Sequence, residues 1–83
     1  MDQTLGYLRE TLSNYTEQHS VCQRIYEKVK QQKYTSEGAF VKALSAEEID
    51  FLNKILPDEI QYAKDEQDQK RAHELNEVFE LLF

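Results

Sequence analysis

The chain has 83 residues, 31% of them charged, and a formal net charge of −6 at pH 7. That length predicts a single domain, residues 1–83, and one cysteine excludes an intramolecular disulfide framework. Because phosphate binding depends on Lys and Arg, the acidic balance argues against a nucleic-acid partner, and no apolar run approaches the ~20 residues of a membrane span.

The first predicted helix runs from about residue 3 to about residue 33 and carries an apolar stripe along its length. The stripe recurs at steps of three and four residues, the period of one helical face. No Pro and only one Gly interrupts it, so we expect one rod of roughly 45 Å at 1.5 Å per residue. Its members are Leu5, Leu8, Leu12, Tyr15, His19, Cys22, Tyr26 and Val29.

Two shorter helices are predicted next, over residues 36–43 and 46–56. The stretch from Tyr34 to Gly38 breaks the first helix. Ser45 and Glu48 then have the spacing of a capping box, in which each side chain accepts a hydrogen bond from the other residue's amide. Pro57 is expected to end or kink the helix, and it suits the first position of the next one.

The last predicted helix spans residues 57–82. Eight polar residues, 64–71, interrupt its apolar pattern. Because this run contains good helix formers and neither Gly nor Pro, we favour a continuous helix over a loop that splits it. The sequence therefore predicts an all-α bundle in which two long helices pack antiparallel and the short helices lie between them.

Few residues could carry chemistry. His19 and Cys22 are three residues apart on one helix, but a structural zinc site needs four ligands, and His73 is the only other strong candidate. No glycine cluster or helix start near Cys22 offers an oxyanion hole. We therefore predict no enzymatic activity, no metal and no cofactor.

The charge is concentrated in the second half of the chain. Residues 1–44 carry five acids and six bases, whereas residues 45–83 carry eleven acids and four bases. Such an acidic surface suits a basic protein partner, and tyrosines favour protein interfaces. The predicted interaction residues are Tyr7, Leu8, Leu12, Tyr62, Glu66, Asp68, Leu82 and Phe83.

These features predict a small acidic protein-binding regulator or adaptor. The start of the chain lacks a secretory signal, so we expect it in the cytoplasm. Its size, acidity and helical content resemble those of small bacterial regulators and bacteriocin immunity proteins.

One alternative is an inhibitor or immunity-type protein that masks a basic site on a toxin or a nucleic-acid-handling protein. Another is a structural homo-oligomeric subunit, because a second copy could cover the thin stripe of the first helix. We favour a homodimer over a monomer and expect neither nucleic acid nor membrane as partner.

The stripe generates a mutational prediction. Leu12→Asp places a charge where an apolar side chain is expected to be buried, and should lower the free energy of unfolding by about 3 kcal/mol or more. Thermal unfolding with light scattering measures this. Unchanged stability and oligomeric state would mean that Leu12 is exposed and that the assigned helix face is wrong.

Overall fold

The computed structural model describes residues 3–31 and 34–82, and within these ranges every regular element is a helix. The all-α prediction is confirmed, although the helices are divided differently from the prediction. The predicted end of the first helix near residue 33 lies outside the described residues. The helices are α1 (Gln3–Leu12), α2 (Ser20–Lys30), α3 (Glu37–Lys42), α4 (Ala46–Asp65) and α5 (Gln69–Leu81).

The predicted helix over residues 3–33 is two helices, because the chain turns back between α1 and α2. Tyr15 anchors this bend to α4: its hydroxyl donates to Glu59 Oε2 at 3.1 Å, and its ring meets Phe51 edge-on. A straight helix over residues 3–30 would measure about 42 Å. The greatest extent of the molecule is 30 Å, so bending is what brings α1 onto α5 and α2.

Side chains cap the starts of three helices. Ser36 Oγ and Asp68 Oδ1 each accept the amide three residues further on, at 3.2 and 3.1 Å. The predicted capping box is confirmed: Ser45 Oγ accepts the Glu48 amide at 3.2 Å, and Glu48 Oε1 accepts the Ser45 amide at 2.8 Å. α2 differs, since its N-cap residue, His19, makes no side-chain hydrogen bond to the helix.

α4 continues through Pro57, which corrects the expectation that one helix ends there and another begins. Proline has no N–H, so the carbonyl of Asn53 loses its intrahelical hydrogen bond. The helix persists because its apolar face is held in the core by Leu52, Leu56 and Ile60, which are at most 8% exposed.

The predicted continuous helix over residues 57–82 ends instead at Asp65 and restarts at Gln69, so the loop alternative was right. Gln67 adopts φ 62°, the left-handed conformation that usually ends a helix at glycine. The Asp68 amide reaches the Ala63 carbonyl at 2.8 Å and closes a Schellman-type turn. The left-handed position is occupied by Gln67 and not by glycine, so the sequence here carries no glycine signal for the end of a helix.

The core lies between the α1–α2 hairpin and the α4–α5 hairpin, with α3 packed on α5. This arrangement agrees roughly with the predicted pairing of two long antiparallel units. The buried apolar residues are Leu5, Leu8, Leu12, Cys22, Ile25, Val29, Phe40, Leu52, Leu56, Ile60, Ala63, Ala72, Leu75, Val78 and Leu82.

A partly buried ion pair joins α2 to the start of α4. Lys28 Nζ donates to Glu48 Oε1 at 2.6 Å and to the Ala43 carbonyl at 2.9 Å. Arg24 pairs with the exposed Glu47 and lies 3.9 Å from the second oxygen of Glu48. Burial would raise the pKa of Glu48, but the hydrogen bonds from Lys28 and from the capping-box amide outweigh it, so this pKa lies below its ordinary value of 4.5.

Gln67→Gly should stabilise the fold by about 0.5 to 1 kcal/mol, because glycine adopts the left-handed conformation without a steric penalty. Chemical denaturation measures the change. As a control, Lys54→Gly in the exposed interior of α4 should destabilise by about 1 kcal/mol. Destabilisation by both substitutions would show that residue 67 is not left-handed in solution.

Glu48→Gln should lower the free energy of unfolding by about 1 to 3 kcal/mol at neutral pH, since it removes one charge of a hydrogen-bonded pair. A carboxylate with a lowered folded pKa stabilises fully above its unfolded pKa, here 4.5, and less as pH falls through the folded value. The difference between wild type and variant should therefore shrink in denaturation series below that pH. Glu47→Gln, in an exposed pair, should change stability by less than about 1 kcal/mol. Equal effects from both variants would contradict the special role of Glu48.

Candidate protein-binding groove

An open groove lies where α1, α4 and α5 meet. Its volume is ≈ 330 Å³. It contains four carboxylates and one guanidinium, a net charge of −3, which is half the formal charge of the whole chain. Its walls are formed by Glu10, Asn14, Glu59, Tyr62, Ala63, Glu66, Asp68 and Arg71.

Arg71 organises the α1 side of the groove. Its Nη2 donates to Glu10 Oε1 at 2.7 Å, its Nε to Asp68 Oδ2 at 3.3 Å, and its guanidinium carbon lies 5.5 Å from the centre of the Tyr7 ring. The hydrogen bond to Glu10 raises the pKa of Arg71 further. Arg71 thus pairs with two of the four carboxylates, offsets one of their charges and links α1 to α5.

The α4 side keeps its negative charge. Glu59 accepts the Tyr15 hydroxyl at 3.1 Å. Burial, followed by the charge of Glu59, raises the pKa of Tyr15 to about 12. Tyr15 therefore remains a neutral donor at physiological pH, and its bond leaves the charge of Glu59 in place. Among the described residues, neither Glu59 nor Glu66 forms a salt bridge with a basic side chain.

On α4, Tyr62 lies between Glu59 and Glu66, the C-cap residue that follows the helix. It is 61% exposed, and the only other large apolar side chain exposed in the described ranges is Leu81, at 42%. Residues 59, 62 and 66 are spaced by three and four, so they share one helix face. An exposed aromatic ring thus lies between two carboxylates near the end of α4.

The structure places the predicted interaction residues in different environments. Tyr62, Glu66 and Asp68 line the groove. Tyr7 is half-buried and packs against the core, and Phe83 lies outside the described residues. The three leucines at positions 8, 12 and 82 belong to the core, with exposures of 0%, 0% and 8%. In the described chain their side chains are covered by its own core.

Sequence reasoning missed Glu10 and Arg71, and it counted Glu59 only as part of the acidic second half of the chain, without placing it beside Tyr62. Glu10 and Arg71 meet across 61 positions of the chain, and no local pattern indicates such a contact. The spacing of Glu59 from Tyr62 and Glu66 is a local signal and could have identified the α4 side of the groove.

The residues considered for chemistry lie apart from the groove lining. Cys22 is buried, its Sγ donates to the Leu12 carbonyl at 3.3 Å, and burial raises its pKa to about 11. A thiol in this state is a poor nucleophile. His19 is exposed beside Phe51, and His73 pairs with Glu77 at 3.0 Å on the surface of α5.

Two further findings concern the described ranges as a whole. No three His, Cys, Asp or Glu side chains there come together in a way that could hold a metal ion. None of the helices there combines the length and the apolar character needed to cross a membrane.

Comparison with known proteins finds a family and a relative that match nearly the whole chain. Residues 1–83 match the family described as CsgA, minor curli fiber component A. A protein of Bacillus subtilis (strain 168), the sigma-G-dependent sporulation-specific SASP protein, is 60% identical over 82 residues, 99% of each chain. No solved structure matches. With its whole length matched, the chain belongs to the family described as CsgA, minor curli fiber component A.

Proposed function

We propose that this chain is a non-catalytic protein of sporulating bacteria that binds a basic surface of another protein through the groove. The sporulation context rests on the name of its B. subtilis relative. The binding role rests on one observation above all: Tyr62, largely exposed, stands among carboxylates on a helix anchored in the core.

The charge of the groove mainly raises the rate of association and orients the partner. Charges within a Debye length of about 8 Å are felt at physiological salt, so a net −3 in one groove attracts and aligns a basic surface. Each exposed ion pair formed by Glu59 or Glu66 would add only about 0.2 to 1 kcal/mol. Charge alone therefore gives weak, salt-sensitive binding.

The Tyr62 ring supplies the rest of the affinity. A tyrosine loses little side-chain entropy when it is covered, and aromatic residues are among those that dominate interface energies. A partner Lys or Arg could lie over the ring and reach either carboxylate, adding a cation–π contribution of about 0.5 to 2 kcal/mol. The groove thus suits a segment with a basic side chain beside an apolar one.

The positions of the cysteine and the histidines support a non-catalytic role. The Cys22 thiol is buried and protonated, and His19 and His73 are exposed. A single reduced thiol also suits the cytoplasmic location expected from the sequence. The family description mentions a fiber. Fibres of stacked strands would require these helices to convert, so the proposal follows the sporulation context of the relative.

An inhibitor that masks a basic site on a toxin or on a nucleic-acid-handling protein would use the same groove. The identity of the bound partner distinguishes it from a regulator or adaptor.

The proposal predicts that groove variants lose the partner. Tagged wild-type protein, used as bait in extracts of sporulating cells, should retain one stoichiometric partner that dissociates when salt is raised from about 50 mM to about 500 mM. Tyr62→Ala should weaken binding at least tenfold, or about 1.4 kcal/mol. Glu66→Lys should reduce the association rate because it reverses a charge of the groove.

Glu27→Lys is the matched control. Glu27 is exposed on α2, outside the groove lining, and the substitution changes net charge by the same amount. It should leave most of the binding intact. Equal losses from Glu27→Lys and Glu66→Lys, or full retention by Tyr62→Ala, would show that binding does not use the groove.

A further inference from the structure

The apolar stripe keeps its helical period across the bend between α1 and α2. Tyr15, His19 and Cys22 follow Leu12 at steps of three, four and three residues. A sequence that encodes a helix end commonly places Gly or Pro there. Residues 13–19 contain neither, and the only left-handed residue in the described ranges is Gln67, far from this bend.

The bend also lacks the capping that marks the other turns. α3, α4 and α5 each follow an N-cap Ser or Asp whose side chain accepts an amide, whereas the N-cap of α2, His19, makes no such bond. The bend itself is held by bonds of helical type, such as Tyr15 N to the Leu12 carbonyl at 2.9 Å and His19 N to the Tyr15 carbonyl at 3.2 Å. Its local sequence is therefore compatible with a continuous helix.

Tertiary contacts are what hold the bend. The Tyr15 hydroxyl bonds Glu59, the Tyr15 ring packs on Phe51, and the Cys22 thiol bonds the Leu12 carbonyl. In a straight helix the Leu12 carbonyl would accept the amide of residue 16 instead, so this group keeps a partner in either form.

We propose that residues 13–19 form a hinge that straightens, joins α1 and α2 into one helix, and exchanges α1 between two copies in a domain-swapped dimer. The straight helix, about 42 Å long, exceeds the 30 Å extent of the molecule, so α1 leaves its own core. Its leucines at positions 5, 8 and 12, at most 1% exposed, then need an apolar cover. The position vacated by α1 of a second copy fits them, because it is the surface they left.

In this dimer every contact of α1 with α5 is remade between copies. The Glu10–Arg71 ion pair and the Tyr7–Arg71 contact become intermolecular, and the groove is lined by both chains. The exchanged contacts are identical to the original ones. The balance between monomer and dimer therefore depends on whether residues 13–19 are more stable bent or straight.

A matched pair of substitutions at residue 17 tests the hinge. Glu17 is exposed, and in the bend its amide donates to no backbone carbonyl of the described residues. Glu17→Pro should block the straight helix and raise the dimer dissociation constant by at least ~100-fold, because in each of the two copies proline in the helix interior removes a hydrogen bond and clashes with the preceding turn. Glu17→Ala removes the same charge and should dimerise as well as wild type. Light scattering across protein concentration, after refolding, measures both.

A charge-exchange pair identifies which contact is swapped and does not depend on the proline variant. Glu10→Arg and Arg71→Glu each place like charges together when α1 packs on its own chain. When the two variants are refolded together, exchange of α1 places opposite charges at both α1–α5 contacts of the mixed dimer. Native mass spectrometry should then show mixed dimers well above the half expected from random pairing.

Concentration-dependent dimers of wild type and Glu17→Ala, loss of dimer in Glu17→Pro, and an excess of mixed dimers support the hinge. Monomers of wild type and Glu17→Ala at millimolar concentration would overturn it. A random proportion of mixed dimers would also overturn it, because dimers formed through surface contacts leave α1 on its own chain.

Discussion

The structure depends on the burial of one side of α1. Leu5, Leu8 and Leu12 are at most 1% exposed and lie in the core shared with α5 and α2. Fully burying such side chains is worth about 1.5 to 3 kcal/mol each, a large part of the stability that a domain of this size can have. Only a bend after Leu12 lets a short chain achieve this without a second copy. The helix break, the core and the groove all follow from it.

The groove depends on the same packing. Glu10 enters it only because α1 lies against α5, where Arg71 bonds both Glu10 and Asp68. Arg71 thereby removes charge from one side and leaves Glu59 and Glu66 to give the other side its negative character. An exposed tyrosine between those two carboxylates combines long-range attraction with contact area, and no catalytic group is required.

Features that depend on residues close together in the sequence were predicted best. The capping box of Ser45 and Glu48 was predicted correctly because both partners lie within one turn. The break at Gln67 was not favoured, since the left-handed residue is not glycine, and the bend at Tyr15 was missed because its supports, Phe51 and Glu59, are distant in sequence. Leu8 and Leu12 were assigned to an interface because their cover was expected from a partner, whereas the chain folds back and covers them itself. The sequence indicated Tyr62, Glu66 and Asp68 as groove residues. It did not indicate Glu10, because that residue reaches the groove only through the packing of α1 on α5.

The proposed binding of another protein through the groove around Tyr62 can be tested in cells. The most direct measurement replaces residue 62 with a photo-crosslinking amino acid in the bacterium that makes the protein and irradiates cells as they sporulate. We expect one dominant adduct whose partner presents Lys or Arg at the crosslinked site, and none from a crosslinker at residue 27. No adduct at position 62, or the same adducts from both positions, would contradict it.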